Sequence, residues 1–186
     1  MKILAIAASS NRESINQTLA NYTAQLAEHA EVEHINVVDY ELPLFSDERE
    51  RDLGQPDLAK AFFDKIGDVD GIVISFAEHN GSYSAAYKNT FDWASRIDTK
   101  VFQNKPAIFL STSPGAGGAS SVLASAVASA KYFGAELVGN VSVPSFQQNY
   151  DVETQQITNP AIQQSLQEAS DLLVEHIGLF SRNNVE

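Results

Sequence analysis

The chain has 186 residues, the size of one domain, so we expect residues 1–186 to fold as a single unit. Cysteine is absent, which excludes disulfide scaffolds, cysteine-ligated metal centres and a thiol nucleophile. Twelve Lys and Arg residues against 24 Asp and Glu residues give a formal net charge of −12. A surface this acidic repels phosphate backbones and anionic lipid, so we expect no nucleic-acid partner and no membrane partner.

The first residues form an apolar run that superficially resembles a signal peptide. The run from Ile3 to Ala8 is followed at once by polar residues, and it is shorter than the roughly 7–15 apolar residues of a signal core. We therefore predict a buried strand here. No stretch of the sequence approaches the roughly 20 apolar residues of a membrane span. Because the lack of cysteine is also compatible with a reducing compartment, we expect a cytoplasmic protein.

Strand and helix patterns alternate along the whole chain. The predicted strands cover Ile3–Ala8, Val32–Val38, Gly71–Phe76, Ala107–Leu110 and Leu137–Val143. The predicted helices cover Ser14–His29, Pro56–Ile66, Ala85–Ile97, Ala119–Phe133 and a last helix that begins near Pro160. The acidic segment Ser46–Asp52 is predicted as a surface stretch, and a long loop follows Val143. This alternation in one domain favours an α/β flavodoxin-like three-layer fold, with a five-stranded parallel sheet of order 2-1-3-4-5.

Three polar loops follow the first, third and fourth strands. In a sheet of this type, ligands bind outside the carboxyl ends of the strands, near the point where the strand order reverses. We therefore expect these three loops to form the functional site. The loops are Ser9–Asn16, Ala77–Ser84 and Ser111–Gly118.

The first loop predicts a binding site for a monophosphate. Ser9, Ser14 and Asn16 supply hydrogen-bond donors, Arg12 supplies positive charge, and all four lie beside a predicted helix N-terminus. The free N–H groups and the dipole of a helix N-terminus attract anions. Ordinary helix capping by Ser and Asn explains the same residues equally well, so both interpretations stay open.

Other catalytic classes lack their motifs. The sequence has no G-x-G-x-x-G, no phosphate-binding G-x-x-x-x-G-K-[ST] and no G-x-S-x-G elbow. A phosphorelay receiver needs acidic residues after the first and third strands, where Ala8-Ser9 and Ser75-Phe76 stand instead. The four histidines show no metal-ligand spacing. They are His29, His34, His79 and His176, of which His79 alone lies in a predicted site loop.

The loops resemble the motifs of a known family. The first loop is similar to G-S-x-R-x-x-S-x-N, the second with its helix to P-E-Y-N-x-S and K-N-x-x-D-W, and the third to a Gly-rich loop. Together these motifs resemble the NADPH-dependent FMN reductases, a flavodoxin-like family that includes quinone, azo-dye and chromate reductases. The resemblance extends along nearly the whole chain. The matching residues are Ser9, Ser14, Asn16, Glu78, Asn80, Ser82, Lys88, Asn89, Asp92, Trp93, Ser113, Pro114, Gly115, Gly117 and Gly118.

The resemblance implies a cofactor and a reaction. It implies FMN as the cofactor and NADPH or NADH as the hydride donor, with a quinone, azo compound, free flavin or similar small molecule as the electron acceptor. No side chain is expected to be catalytic, because the flavin carries the chemistry. A homodimer or homotetramer is implied too. The residues expected to bind the cofactor are Ser9, Asn11, Arg12, Ser14, Ile15, Asn16, Ala77, Glu78, His79, Asn80, Gly81, Ser113, Gly115 and Gly117.

The sequence departs from the family pattern in the motifs of the first and second polar loops. Ala8 replaces a Gly, Asn11 takes the usual Arg position with Arg12 one place along, and Ala77 and His79 replace a Pro and a Tyr. The change at His79 leaves two alternatives open. Its ring lies near the flavin, where an imidazolium would stabilise the anionic reduced form, or its backbone alone meets the flavin.

The predicted helix Ala85–Ile97 carries two apolar stripes. Tyr87, Phe91 and Ala94 form one stripe, and Trp93 and Ile97 form the other. If one stripe packs on the sheet, the second needs cover from a partner subunit. In the alternative, both stripes belong to one broad core face.

Two other functions stay open beside a reductase. One is an electron carrier in which FMN shuttles single electrons between proteins, and the other is a non-enzymatic flavin-binding protein. The K-N-x-x-D-W segment favours the reductase, because it belongs to that family rather than to simple carriers.

Overall fold

The structure, a computed structural model, describes the backbone of residues 1–183 and the side chains of residues 1–179. Its centre is a parallel sheet whose strands are β1 (Lys2–Ala8), β2 (Glu31–Asn36), β3 (Gly71–Phe76), β4 (Pro106–Thr112) and β5 (Glu136–Val143). The order across the sheet is β2-β1-β3-β4-β5, so the predicted flavodoxin-like topology is confirmed.

Helices cover both faces of the sheet. They are α1 (Ile15–Gln25), α2 (Asp47–Leu53), α3 (Asp57–Gly67), α4 (Ala85–Ala94), α5 (Ser120–Ser129), α6 (Phe146–Asn149) and α7 (Pro160–Asn183). α1 and α7 pack on one face, and α3, α4 and α5 pack on the other. Within residues 1–183, no helix combines the length and the apolar character needed to cross a bilayer.

The three inner strands are apolar because both of their faces are covered. Alternate side chains of a strand point to opposite faces. In β1, Ile3 and Ala5 pack toward α1 and α7, whereas Leu4 and Ile6 pack toward α3 and α4. β3 and β4 are likewise buried along their whole length. This buried layer fixes the strand ends from which the three polar loops emerge.

Several predicted boundaries are wrong for identifiable reasons. α1 ends at Gln25 rather than His29, because Leu26 N and Ala27 N donate to carbonyl oxygens three residues back, in the tighter turns that often end a helix, and His29 has a φ of 65°. β2 ends at Asn36, whose side chain accepts a hydrogen bond from Val38 N and begins a 3₁₀ turn over Val37–Tyr40.

Two segments predicted as irregular contain secondary structure. The acidic segment Ser46–Asp52 is largely helix α2, because Ser46 caps it by accepting from Arg49 N and its first turn is acidic, which suits the helix dipole. The long loop after Val143 contains α6 and a short hairpin in which Tyr150–Asp151 pairs with Gln156–Ile157. The polar turn after β3 also contains a hairpin, described below.

The expectation that Trp93 needs cover from a partner subunit is wrong. Tyr87, Phe91, Trp93 and Ala94 are all buried within this one chain. Trp93 is covered by the segment after β2, since its Nε1 donates to the carbonyl oxygen of Pro43 at 2.7 Å and the ring of Phe45 packs edge-on against it at 5.2 Å. Trp93 and the first stripe therefore belong to the core of one chain, whereas Ile97 of the second stripe lies beyond the end of α4 and is half-buried.

Candidate functional site

The three polar loops meet at the carboxyl edge of the sheet, as the sequence predicts. β1, β3 and β4 are neighbours and run parallel, so the segments that follow them emerge side by side. Two hydrogen bonds tie the second loop to the end of β1, where the first loop begins, since Ala77 N and Ser84 Oγ both donate to the carbonyl oxygen of Ala8.

The first loop is folded by its own side chains. Ser9 Oγ accepts from Asn11 N at 3.2 Å, and Asn11 Oδ1 accepts from Glu13 N at 3.0 Å. Ser14 is the N-cap of α1, with its Oγ accepting from Gln17 N at 3.1 Å. In the described residues, the hydroxyls of Ser9 and Ser14 act only as acceptors. Each hydroxyl therefore keeps its hydrogen free to donate to a ligand.

The first turn of α1 presents backbone donors that the chain leaves unused. Across residues 1–183, no group accepts a hydrogen bond from the backbone N–H of Ser14, Ile15 or Asn16. Such N–H groups at the positive end of a helix dipole form an anion-binding site. The capping interpretation and the phosphate interpretation of this loop are thus compatible, because Ser14 caps the helix through its lone pair and keeps its hydrogen free.

Asn16 is used differently from the sequence expectation, which made its side chain a phosphate donor. The side chain is buried, with Oδ1 accepting from Ser75 Oγ at 2.7 Å and Nδ2 donating to the carbonyl oxygen of Thr112 at 3.4 Å. It therefore ties the first turn of α1 to the ends of β3 and β4. What Asn16 offers to a ligand is its backbone N–H.

Arg12 also has a partner in the chain. Its guanidinium forms an exposed ion pair with Asp39, in the 3₁₀ turn after β2. Nearby, Asn36 Nδ2 donates to the carbonyl oxygen of Asn11 at 3.1 Å. No sequence signal pointed to Asn36 or Asp39 as supports of the first loop, because neither lies in a recognisable motif and their contacts are long-range.

The second loop is a tight hairpin. Glu78–His79 pairs with Ser82–Tyr83 through a two-residue turn, in which Asn80 has a φ of 53° and Gly81 a φ of 77°. Asn-Gly is the preferred sequence for a type I′ turn, which needs positive φ at both positions. Ala77 is buried, whereas the side chains of His79 and Asn80 are exposed.

The carboxylate of Glu78 is engaged inside the chain. Its Oε2 accepts from Val122 N, in the first turn of α5, at 2.9 Å. A helix N-terminus with a carboxylate on it is already satisfied as an anion site. α5 thus differs from α1, whose first N–H groups remain free.

The third loop contains one glycine whose conformation is required. Gly118 has a φ of 59°, and a Cβ added there would lie 2.3 Å from Ser142 Oγ. Its carbonyl oxygen accepts from Ser111 Oγ at 2.7 Å and from Ser142 Oγ at 2.9 Å. A Cβ at Gly117 would meet nothing within 4 Å, and one at Gly115 would meet only Ser113 Oγ at 4.0 Å, so both can approach a ligand closely.

An apolar groove lies beside the first loop and was not predicted. It has a volume of about 420 Å³ and lies between Ser10, the segment 37–44 and the first turn of α4. Burial, with smaller contributions from Glu33 and Asp39, raises the pKa of Tyr40 in its wall. Leu44, a large apolar residue in a predicted loop, is a sequence hint to this groove, and the structure shows it exposed.

Comparison with known proteins assigns the chain to a family. It matches the family model described as NADPH-dependent FMN reductase over residues 1–148. The chain belongs to this family. A 2-hydroxy-1,4-benzoquinone reductase from a Burkholderia species is 36% identical over 120 residues, which are 63% of this chain and 63% of that protein. An NADPH:quinone oxidoreductase from Arabidopsis thaliana is 32% identical over 122 residues, 63% of this chain and 61% of its own.

The matches to these two relatives span less than two thirds of their length. A solved structure extends the likeness to nearly the whole chain. The flavoenzyme NAD(P)H:(acceptor) oxidoreductase from Paracoccus denitrificans has a TM-score of 0.75 and 25% identity, covering 95% of this chain and 97% of that one. The family resemblance read from the motifs is therefore confirmed.

One motif of the FMN reductase family has a supporting place in this chain. In the K-N-x-x-D-W segment, Asn89 Oδ1 accepts from Phe45 N at 2.8 Å and its Nδ2 donates to the carbonyl oxygen of Leu42 at 2.9 Å. Trp93 contacts the same segment through Pro43. Lys88 and Asp92 form an ion pair on the surface of α4. The contacts of Asn89 and Trp93 fix the segment after β2, which forms one wall of the apolar groove.

Proposed function

We propose that this chain binds FMN and uses it to transfer hydride from NADPH or NADH to a small-molecule acceptor such as a quinone. The net reaction oxidises the nicotinamide and, with a proton from solvent, reduces a quinone to its quinol. The observation that carries the proposal is the set of unused N–H groups and hydroxyl hydrogens at the start of α1, at the edge where the hairpin and the Gly-rich loop also emerge.

The donor set fits a phosphate monoester. The backbone N–H groups of Ser14, Ile15 and Asn16 and the hydroxyls of Ser9 and Ser14 are neutral donors, held by a fixed loop at a helix N-terminus. Neutral donors and a dipole suit an anion in a protein with a net charge of −12. Arg12 adds its field from the rim, where it is paired with Asp39.

The remaining contacts are assigned to backbone. Bound FMN supplies the hydride-transfer chemistry. The hairpin backbone at Ala77–Gly81 and the loop backbone at Ser113, Gly115 and Gly117 would hold the ring, because the chain offers open space at these glycines. His79 and Asn80, near the hairpin tip, are exposed, so a nicotinamide and then an acceptor could reach the tip in turn.

Binding is tested by titrating FMN into the apoprotein. Ser14→Ala removes a hydrogen bond to a charged group, worth roughly 1.5–3 kcal/mol, so we expect the FMN Kd to rise about tenfold or more. Ser46→Ala is a matched control, because Ser46 caps α2 in the same way but lies outside the three loops. Its Kd should equal that of wild type. A Ser14→Ala protein that binds as wild type does, or a wild type without saturable binding, contradicts the proposal.

Activity is tested without a partner protein. A reductase oxidises NADPH or NADH in the presence of FMN and a soluble quinone alone. An electron carrier does so only when a protein reductase is added. The names of the two curated relatives, both quinone reductases, favour the first outcome.

Assembly and location complete the proposal. The family resemblance implies a homodimer or homotetramer, and sedimentation of the 20.2 kDa chain measures this directly. A cytoplasmic location suits a chain without cysteine that uses a nicotinamide nucleotide.

A further inference from the structure

Helix α5 begins without a cap of its own. Its N-cap residue, Ala119, has a φ of 59° and no side chain that can accept a hydrogen bond. Ser120 N donates to the carbonyl oxygen of Gly117, which leaves the next donors of the first turn to be satisfied from elsewhere. Glu78 supplies the acceptor, since its Oε2 lies 2.9 Å from Val122 N.

This contact joins two loops that are distant in sequence. Glu78 is the first residue of the hairpin after β3, and Val122 follows the Gly-rich loop after β4. A negative carboxylate at a helix N-terminus gains from the dipole as well as from the hydrogen bond. The contact therefore resists separation of the hairpin from the Gly-rich loop.

The other strand of the hairpin also contacts α5. Tyr83, the direct partner of Glu78, lies near Ser129 at the end of α5, and both residues line one small cavity. Its ring packs against Phe76 and Tyr87, with centroids 5.6 and 5.2 Å apart. The base of the hairpin is thus hydrogen-bonded to the first turn of α5 and lies near its last turn, whereas the tip at Asn80 and Gly81 is exposed.

We propose that Glu78 is a positioning residue for the flavin site. Its carboxylate holds the hairpin against the N-terminus of α5, so that the two loop backbones assigned to the flavin ring keep one relative position before FMN binds. Glu78 acts through Val122 N and the hairpin backbone rather than by touching the cofactor. This inference rests on the proposed function.

The expected effect follows from pre-organisation. A ligand that binds one conformation has its affinity reduced by the fraction of molecules in that conformation. When Glu78 is replaced by Ala, the hairpin keeps Tyr83 and its turn but loses its attachment to the first turn of α5. If about a tenth of the molecules then hold the competent position, the FMN Kd rises about tenfold.

The experiment compares Glu78→Ala with Glu78→Gln. Gln keeps a side-chain oxygen that can accept from Val122 N but carries no charge. Glu48→Ala is the control, because Glu48 is an exposed carboxylate on α2 and its replacement makes the same change in charge. Each protein is studied first without FMN, by amide hydrogen exchange and the NMR shift of Val122, and then by FMN titration.

We expect the Val122 amide of the apoprotein to exchange faster and to move upfield in Glu78→Ala, and to stay close to wild type in Glu78→Gln and Glu48→Ala. The FMN Kd should rise about tenfold in Glu78→Ala and by less than about threefold in Glu78→Gln.

Other results overturn the inference in distinct ways. An unchanged Val122 amide in Glu78→Ala means that the contact does not exist in solution. A changed amide with unchanged FMN affinity means that the contact has no role in the site. Equal loss of affinity in Gln and Ala, with the Val122 amide intact in Gln, means that the charge acts on the cofactor directly. If wild type binds no FMN but the Val122 amide changes in Glu78→Ala as expected, the contact exists, and both the proposed function and the role of Glu78 in it are refuted.

Discussion

In the first loop, some atoms of each residue hold the fold together, and other atoms of the same residue stay free to donate to a ligand. Ser9 and Ser14 use lone pairs for the loop and keep their hydrogens. Asn16 uses its whole carboxamide for Ser75 and Thr112 and offers only its backbone N–H. Rigidity and binding therefore come from different atoms of the same residues, which is why a sequence motif alone does not separate the two roles.

Asn16→Ala should destabilise the protein. It leaves Ser75 Oγ and the carbonyl oxygen of Thr112 without their partner in a buried region, at a cost of roughly 1–3 kcal/mol. Asn21→Ala on the same helix is the control, since the Asn21 side chain makes no hydrogen bond within the described residues. Urea unfolding at pH 7 measures both. Equal stability of the two variants would contradict the assigned role of Asn16.

At the scale of elements, the sequence predicted the types of the main strands and helices and the place of the site. Continuous apolar runs identify β1, β3 and β4, because both of their faces are buried. It did not predict α2, whose acidic residues follow a cap signal at Ser46 but bury no apolar side chain. Nor did it predict the cover of Trp93 by Pro43 and Phe45, because contacts between distant segments leave no local pattern.

The Gly-rich loop contains a matched pair of positions that tests its geometry. At Gly118, a side chain meets Ser142 Oγ at 2.3 Å and Pro144 N at 3.0 Å, and the φ of 59° disfavours any Cβ. We expect Gly118→Ala to cost about 1–3 kcal/mol in the free energy of unfolding. At Gly117 a Cβ meets nothing, so Gly117→Ala should change stability by less than about 0.5 kcal/mol. Thermal and urea unfolding compare the two, and similar losses would show that the loop is not held as described.

At the scale of the whole molecule, the candidate site and a pair of ion pairs centred on Glu33 lie at opposite edges of the sheet. The polar loops occupy the carboxyl edge, whereas Glu33 on β2 joins Lys2, near the start of β1, and Lys65, on α3. Glu33 Oε1 lies 2.6 Å from Lys65 Nζ, and Glu33 Oε2 lies 2.9 Å from Lys2 Nζ. In a chain with twice as many acidic as basic residues, this carboxylate is paired rather than repelled.

The stability that Glu33 contributes should depend on pH in a defined direction. Its hydrogen bonds to Lys65 and then to Lys2 lower the pKa of Glu33 below the ordinary value of 4.5, against an opposing effect of burial. A carboxyl group whose pKa is lower in the folded state stabilises that state above its unfolded pKa. The contribution is therefore fully present at pH 7, begins to fall near pH 4.5, and is lost as the pH drops through the lowered pKa.

We expect wild type to exceed Glu33→Gln in unfolding free energy by about 0.5–1 kcal/mol at pH 7, because the ion pairs are partly exposed. Urea unfolding of both proteins from pH 7 to pH 3 measures the difference, and a gap that stays constant or widens on acidification would contradict the assigned pairing.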